Sequence, residues 1–127
     1  MFAPYRHRHA SLAILGVVLL VIAPPAAQAK EVRCGWLHNP TPANWYLEDK
    51  DGRWVLGEQG RYQAPGLLRM PDFTQGEWVK TNTGSYGYGC ACATVNTDRK
   101  SMTVARLFSA KQQPLAACQA DKSLPAP

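Results

Sequence analysis

Four cysteines, Cys34, Cys90, Cys92 and Cys118, follow a leader that is typical of exported chains, and they limit the fold more than any other feature. An even number of cysteines in a small exported chain indicates disulfide bonds, because such a domain buries too little apolar surface to depend on its core alone. Three pairings are possible. Cys90 and Cys92 flank one alanine in a predicted strand, where their side chains share a face but lie too far apart for a bridge. Each is expected to pair with Cys34 or Cys118, which would tie both ends of the domain to one central strand.

Residues 1–29 are predicted to be a secretory signal peptide. They contain the basic residues Arg6 and Arg8, then an apolar run of about 14 residues, and they end in the small-residue sequence Ala27-Gln28-Ala29. Cleavage is expected before Lys30. The alternative, an uncleaved membrane anchor, needs roughly 20 apolar residues to span the hydrocarbon. We therefore expect a periplasmic or extracellular protein with no membrane span after cleavage.

Cleavage would leave one small domain, predicted over residues 30–122, followed by a flexible tail over residues 123–127 that has little to pack against. Of the 14 basic residues, Arg6 and Arg8 leave with the leader, so 12 remain against 9 acidic residues and the net charge is +3. The basic residues are spread between acidic ones instead of clustered. Nucleic acid is therefore not an expected partner.

The strongest local signal is an Asp-Gly turn at residues 49–52 between the segments 45–48 and 53–57, which are rich in aromatic and aliphatic residues. This pattern predicts a β-hairpin. The preceding residues 39–44 contain Pro40 and Pro42, which exclude a helix and favour an extended loop.

A second hairpin is predicted from the segments 86–96 and 101–110 around a polar turn at residues 97–100. Strict alternation in its second strand would place Val104 and Leu107 on opposite faces.

Between the hairpins, residues 60–72 contain two prolines and are expected to be irregular, and the sequence Thr74-Gln75-Gly76-Glu77 resembles a capping box that would begin one short helix. The predicted fold class is mostly β. We expect a small antiparallel β domain of two hairpins with long loops, stapled by disulfides, in the form of a sandwich or a partly open barrel.

Several separated motifs occur in a characteristic order along the mature chain: Cys34-Gly35-Trp36, Asn39-Pro40-Thr41-Pro42, Asn44-Trp45, Asp51-Gly52-x-Trp54, Trp78-Val79-x-Thr81-Asn82, the run from Gly84 to Cys92, and Cys118-x-Ala120-Asp121-Lys122. Together they resemble a bacterial exported family catalogued as domain of unknown function 4087. The resemblance covers essentially the whole mature chain. It implies a small exported bacterial domain and no activity.

No catalytic set, metal site or cofactor is predicted. The mature chain has one histidine, His38, and oxidised cysteines are not nucleophiles. Asp49-x-Asp51-Gly52 followed by Glu58 resembles part of a calcium loop, but the first ligand position of that pattern falls on Leu47. Glu48, Asp49 and Glu58 could instead be the paired carboxylates of a hydrolase acting on wall polymers.

Aromatic side chains beside amides suggest binding instead. A ring exposed on a rigid scaffold stacks on a sugar or anchors a protein partner, and loops held by such a scaffold are common binding sites. The candidate binding residues are Asn39, Asn44, Trp45, Tyr86 and Tyr88. The predicted function is a non-enzymatic binding or inhibitor-like module of the bacterial cell envelope, with an envelope protein or glycan as its partner. A wall-polymer hydrolase and a structural envelope component are the alternatives.

Overall fold

The computed structural model describes residues 2–4, 17–24 and 28–127. Most of the predicted signal peptide, including its basic residues, lies outside the described residues. Within the described part of the chain, no helix is long and apolar enough to cross a membrane.

The domain is mostly β, as predicted. Its six strands are β1 (Glu31–Thr41), β2 (Asn44–Asp49), β3 (Gly52–Gly57), β4 (Trp78–Lys80), β5 (Gly87–Asp98) and β6 (Thr103–Gln113). Two 3-10 turns, Leu67–Arg69 and Phe73–Gln75, precede β4, and one helix, α1 (Leu115–Ala120), follows β6. Both predicted hairpins are confirmed as β2–β3 and β5–β6.

Five of the strands form a closed ring in the order β1-β2-β3-β6-β5, because β5 also pairs with β1. The sixth, β4, extends the sheet beyond the end of β6 by pairing with residues 87–89 of β5. All neighbours are antiparallel except β3 and β6, which are joined in parallel by the single pair Val55 and Thr103. The result is a barrel that is weakly closed along one seam.

The core fills this barrel with side chains from alternate strand positions. Odd-numbered residues of β1, β2 and β5 point inward, and the even-numbered residues between them point outward. Leucine and tryptophan supply most of the core volume, whereas β5 contributes small residues. The largest fully buried side chains are Trp54, Leu37, Leu47, Leu56 and Leu107. The connection between β3 and β4 adds buried Ala64, Leu67 and Phe73.

The disulfides join Cys34 to Cys92 and Cys90 to Cys118. Both cysteines of β5 point outward. As predicted, they do not form a disulfide with each other. The first bridge connects directly opposite residues of β1 and β5. The second attaches α1 to the outer face of β5. The expectation that both ends of the domain are tied to one central strand is confirmed.

The prediction of a loop over residues 39–44 is wrong, because β1 continues to Thr41 and only Pro42 and Ala43 form the turn into β2. Proline cannot donate to a strand ladder, and it is tolerated where the ladder is interrupted. Pro40 lies at such a point, since the β1–β5 pairing ends at Asn39 and the β1–β2 register shifts between His38 and Thr41.

The prediction of a short helix from the capping box at residues 74–77 is also wrong. Asp72, not Thr74, caps this segment, because its carboxylate accepts a hydrogen bond from the Thr74 N–H. The resulting 3-10 turn ends after Gln75, and the Gly76 N–H donates to the carbonyl of Phe73. Strand β4 follows because pairing with β5 satisfies its backbone groups.

Strict alternation in β6 is wrong as well, since Val104 and Leu107 are both buried. The β5–β6 register shifts between Asn96 and Thr97. Asn96 pairs with Arg106 and Thr97 pairs with Val104, so β6 has one extra residue at this point. A bulge of this kind changes the face that the following side chains occupy.

Leu47 and Leu68 provide a matched test of the core. Leu47 is fully buried, whereas Leu68 is 96% exposed. We expect Leu47→Ala to lower the free energy of unfolding by about 2–5 kcal/mol through lost burial and a cavity, and Leu68→Ala to change it by less than about 0.5 kcal/mol. Urea denaturation measures both values. Equal losses would contradict the assignment of β2 to the barrel wall.

Candidate functional site

Four rings form a continuous row across the outer face of the barrel, and we call Trp36, Tyr88, His38 and Tyr46 the ring row. His38 of β1 lies directly opposite Tyr88 of β5 on one side and Tyr46 of β2 on the other. Opposite residues share a face of the sheet, so three strands bring these side chains into contact.

The ring geometry shows direct packing along the row. Trp36 and Tyr88 meet edge to face with centroids 5.5 Å apart, and His38 lies 5.6 Å from Tyr88. His38 and Tyr46 are stacked, with centroids 4.4 Å apart and planes inclined by 16°. Both arrangements are favourable for aromatic pairs and add to the stabilisation from buried area. The row is therefore a preformed surface.

A charged pair lies at the Tyr46 end of the row. The Arg53 guanidinium lies 4.0 Å from the centroid of the Tyr46 ring, and its Nε and Nη2 donate to Glu48 Oε1 at 3.2 and 3.1 Å. The Arg53 side chain remains 55% exposed, and Tyr46 is half-buried. The row thus ends at solvent with one ring, one cation and one carboxylate.

His38 is buried, and its Nε2 lies 3.3 Å from Glu48 Oε2 without a hydrogen bond to any described residue. Burial lowers the pKa of His38 below its ordinary value of 6.5; the nearby Arg53 acts in the same direction, while Glu48 acts against both. The imidazole is therefore neutral at neutral pH and serves the row as a flat ring.

Opposite the charged end, the row is covered. Trp36 is buried in a cluster with the Cys90–Cys118 disulfide, and Leu115 and Leu124 pack against this cluster. The segment 123–127, which the sequence predicts to be a flexible tail, lies over Trp36 in the structure. The indole Nε1 donates a hydrogen bond to the carbonyl of Pro125 at 3.0 Å.

Two of the predicted binding residues use their amides to shape the β1–β2 turn. Asn39 is buried, and its Nδ2 donates to the carbonyls of Thr41 and Asn44 at 2.9 and 2.8 Å. Asn44 Nδ2 donates to Thr41 Oγ1 at 2.6 Å, and its Oδ1 accepts from the Gln59 N–H at 2.8 Å. These polar groups are already occupied within the protein.

The three aromatic candidates lie at different depths. Trp45 is half-buried against the core and lies 6.4 Å from the Trp78 ring. Tyr86 is half-buried in the loop before β5, where its carbonyl accepts from the Thr81 N–H at 2.9 Å. Tyr88 belongs to the ring row. The pairing of Asn39 with Gly87 makes the two predicted binding segments neighbours.

The predicted carboxylate set is not brought together. Glu48 lies on the outer face, Asp49 points into the barrel, and Glu58 follows the far end of β3 with a 45% exposed side chain. Asp49 accepts from Arg33 Nη1 at 2.6 Å and from Trp54 Nε1 at 3.0 Å. Its oxygens therefore serve the fold.

The carboxylates of the calcium-like pattern likewise serve the fold. The buried Arg33 also donates to Asp51 Oδ2 and Glu31 Oε2, each at 3.0 Å. An arginine at the centre of these carboxylates neutralises the charge that a cation would need. Across residues 2–4, 17–24 and 28–127, no three His, Cys, Asp or Glu side chains are grouped so that they could hold a metal ion.

The sequence did not single out His38, Tyr46 or Arg53 for binding. The alternation of Tyr46 and Glu48 with Trp45 and Leu47 indicates a strand with one outward face, which carries Tyr46 and Glu48. The missing step was the assignment of residues 31–38 to a strand, which places His38 between Tyr46 and Tyr88.

The buried histidine predicts a pH dependence of stability. A histidine whose folded pKa lies below its unfolded pKa gives stability that is present above the unfolded pKa and is lost as pH falls through the folded pKa. We expect the free energy of unfolding to decrease over the pH range below about 6.5, the ordinary pKa of histidine. Urea denaturation across this range measures the effect.

His38→Gln should flatten that dependence, because His38 is the one histidine that follows the predicted leader. Arg53→Gln should weaken it, since it removes a neighbouring positive charge that lowers the pKa of His38. An unchanged slope in His38→Gln would contradict the assignment.

Comparison with known proteins identifies the family alone. The family model described as "Protein of unknown function (DUF4087)" matches residues 28–125. No curated protein and no solved structure matches the chain. The matched range covers every strand of the barrel, both disulfides and the ring row. The chain therefore belongs to the DUF4087 family, as its motifs indicated.

Proposed function

We propose that the protein is a non-enzymatic binding domain of the bacterial cell envelope, and that it contacts an envelope protein or glycan through the exposed end of the ring row. The observation that carries this proposal is the arrangement of Tyr46, Arg53 and Glu48 at the solvent end of a packed row of rings.

The chemistry of this end suits recognition. Tyrosine and arginine are enriched among the residues that contribute most to binding energy. Arg53 is held by both Tyr46 and Glu48, so little side-chain freedom remains to be lost on binding. His38 supports Tyr46 from beneath and keeps its ring in place.

Export supports an envelope location. Disulfides form and persist in oxidising compartments, and the described residues contain two. The leader at residues 1–29 has the composition of a signal peptide. The Cys34–Cys92 bridge fastens β1, which contributes His38 and Trp36, to β5, which contributes Tyr88. An oxidised protein would thus present a rigid face.

Binding fits the geometry better than hydrolysis of wall polymers. Paired-carboxylate hydrolases place two acids on either side of a cleft. Here Glu48 and Asp49 are successive residues on opposite faces of β2, and Asp49 is engaged by Arg33.

The proposal predicts that envelope components are retained by this face. The disulfide-bonded protein, produced by export of the full-length chain, is immobilised and exposed separately to envelope proteins and to peptidoglycan fragments. We expect one of the two classes to be retained, and Tyr46→Ala or Arg53→Ala to weaken retention at least tenfold, or about 1.4 kcal/mol. Mass spectrometry identifies what is retained.

Leu68→Ala is the matched control, because Leu68 is an exposed apolar residue outside the ring row. It should bind like the unmodified protein. Retention that is insensitive to Tyr46→Ala and Arg53→Ala, or a complete absence of retained material, would contradict the proposal.

A further inference from the structure

The segment that covers Trp36 is held by few contacts. The Trp36 Nε1 donates to the Pro125 carbonyl at 3.0 Å, and Leu124 is the one half-buried side chain among residues 123–127. A turn centred on Asp121 leads into the segment, since Asp121 accepts hydrogen bonds from Ser123 and Leu124. A segment with one half-buried side chain and exposed prolines opens at a low cost in free energy.

The chemistry of this segment is that of an extended peptide. Its sequence is Leu124-Pro125-Ala126-Pro127. Each proline fixes its own φ near about −65° and restricts the residue before it to extended conformations. Such a segment favours the polyproline II conformation, which leaves its carbonyls free to accept hydrogen bonds.

A groove lies beside the segment. A cavity of about 380 Å³ lies between residues 124–127 and the outer face of the sheet. Trp36, Tyr88, Val79 and Leu115 line it. The segment forms one side of this groove. The other walls combine these aromatic and aliphatic side chains with the polar residues Gln119, Asp121 and Lys122.

We propose that this groove binds an extended, proline-containing segment of a partner protein, and that residues 124–127 occupy it in the absence of that partner. Aromatic grooves recognise polyproline II peptides by packing against the proline rings and donating hydrogen bonds to their carbonyls. Trp36 already makes such a hydrogen bond to Pro125. The incoming segment replaces this contact and extends along Tyr88 into the cavity.

The inference rests on the proposed binding function and names the class of partner as a protein. The groove lies at the covered end of the ring row, and Tyr88 belongs both to the groove and to the row. Tyr46 and Arg53 do not line the groove. The two ends can therefore be tested separately.

The test uses the chain's own segment as the probe. The peptide acetyl-Ser-Leu-Pro-Ala-Pro-amide is titrated into the full-length disulfide-bonded protein and into a variant with Leu124→Gly and Pro125→Gly. The Trp36 indole N–H is followed in proton–nitrogen correlation spectra and assigned with Trp36→Phe. We expect the peptide to shift this signal in the variant, with an affinity at least tenfold higher than in the unmodified protein, because the competing segment no longer occupies the groove.

Two controls define the specificity. Leu68→Gly, a change of an exposed leucine far from the groove in sequence, should leave peptide binding as weak as in the unmodified protein. The peptide acetyl-Ser-Leu-Gly-Ala-Gly-amide should not shift the Trp36 signal in any of these proteins. An unshifted Trp36 signal in the double variant, or equal affinity for the two proteins, would overturn the inference.

Failure here is distinguishable from failure of the proposed function. If the peptide does not bind but Tyr46 and Arg53 still govern retention of an envelope component, the groove inference is wrong and the binding face stands. If the peptide binds in a Trp36-dependent way while nothing is retained through Tyr46, the groove inference is supported and the exposed end of the ring row is not the binding surface.

Discussion

The structure depends on strand β5, which pairs along both edges and carries cysteines on its outer face. β1 lies along one edge, and β6 and β4 share the other. From Gly87 to Ala93 its inward positions are glycine and alanine, so large side chains from facing strands can fill this part of the barrel. Its outward positions hold Tyr88, Cys90 and Cys92. The alternation of a single strand therefore determines both the core and the face proposed for binding.

The two disulfides connect this strand to segments near both ends of the domain. Cys92 fixes β1 in register, and β1 presents Trp36 and His38 beside Tyr88. Cys90 fixes α1, and the chain that follows α1 returns over Trp36. Residues near both ends of the domain meet on one surface as a result. A small domain without these bridges would have only its modest core to hold both ends in place.

Charge is used differently at the two faces of β2. Inside the barrel, Asp49 and the guanidinium of Arg33 form a buried ion pair, and the same guanidinium lies 3.9 Å from the Trp54 ring. Several hydrogen bonds offset the cost of burying this charge. Outside, Glu48 and Arg53 remain near solvent. Neighbouring acids in the sequence thus have separate roles, one in folding and one at the surface.

Local signals in the sequence predicted the β2–β3 hairpin, because the run from Asp49 to Gly52 is typical of a tight turn. The spacing of Cys90 and Cys92 also excluded one disulfide pairing. The extent of β1 could not be predicted, since Pro40 is accommodated only where the ladder between strands is interrupted. The short helix formed around Cys118 instead of at residues 74–77, where pairing of β4 with β5 prevailed over a capping pattern. At the proposed site, the sequence predicted Tyr88 as a binding residue. His38 and Arg53 could not be predicted, because their place at the site depends on which strands are neighbours.

We propose that the exposed end of the ring row is a binding surface in the cell. The most direct measurement replaces Tyr46 in the full-length chain with a benzophenone-bearing phenylalanine and irradiates the cells that make the protein. The same substitution at Leu68 serves as the reference position. We expect a discrete cross-linked product from position 46 that is absent from position 68. Products from position 68 alone, or equal products from both positions, would contradict it.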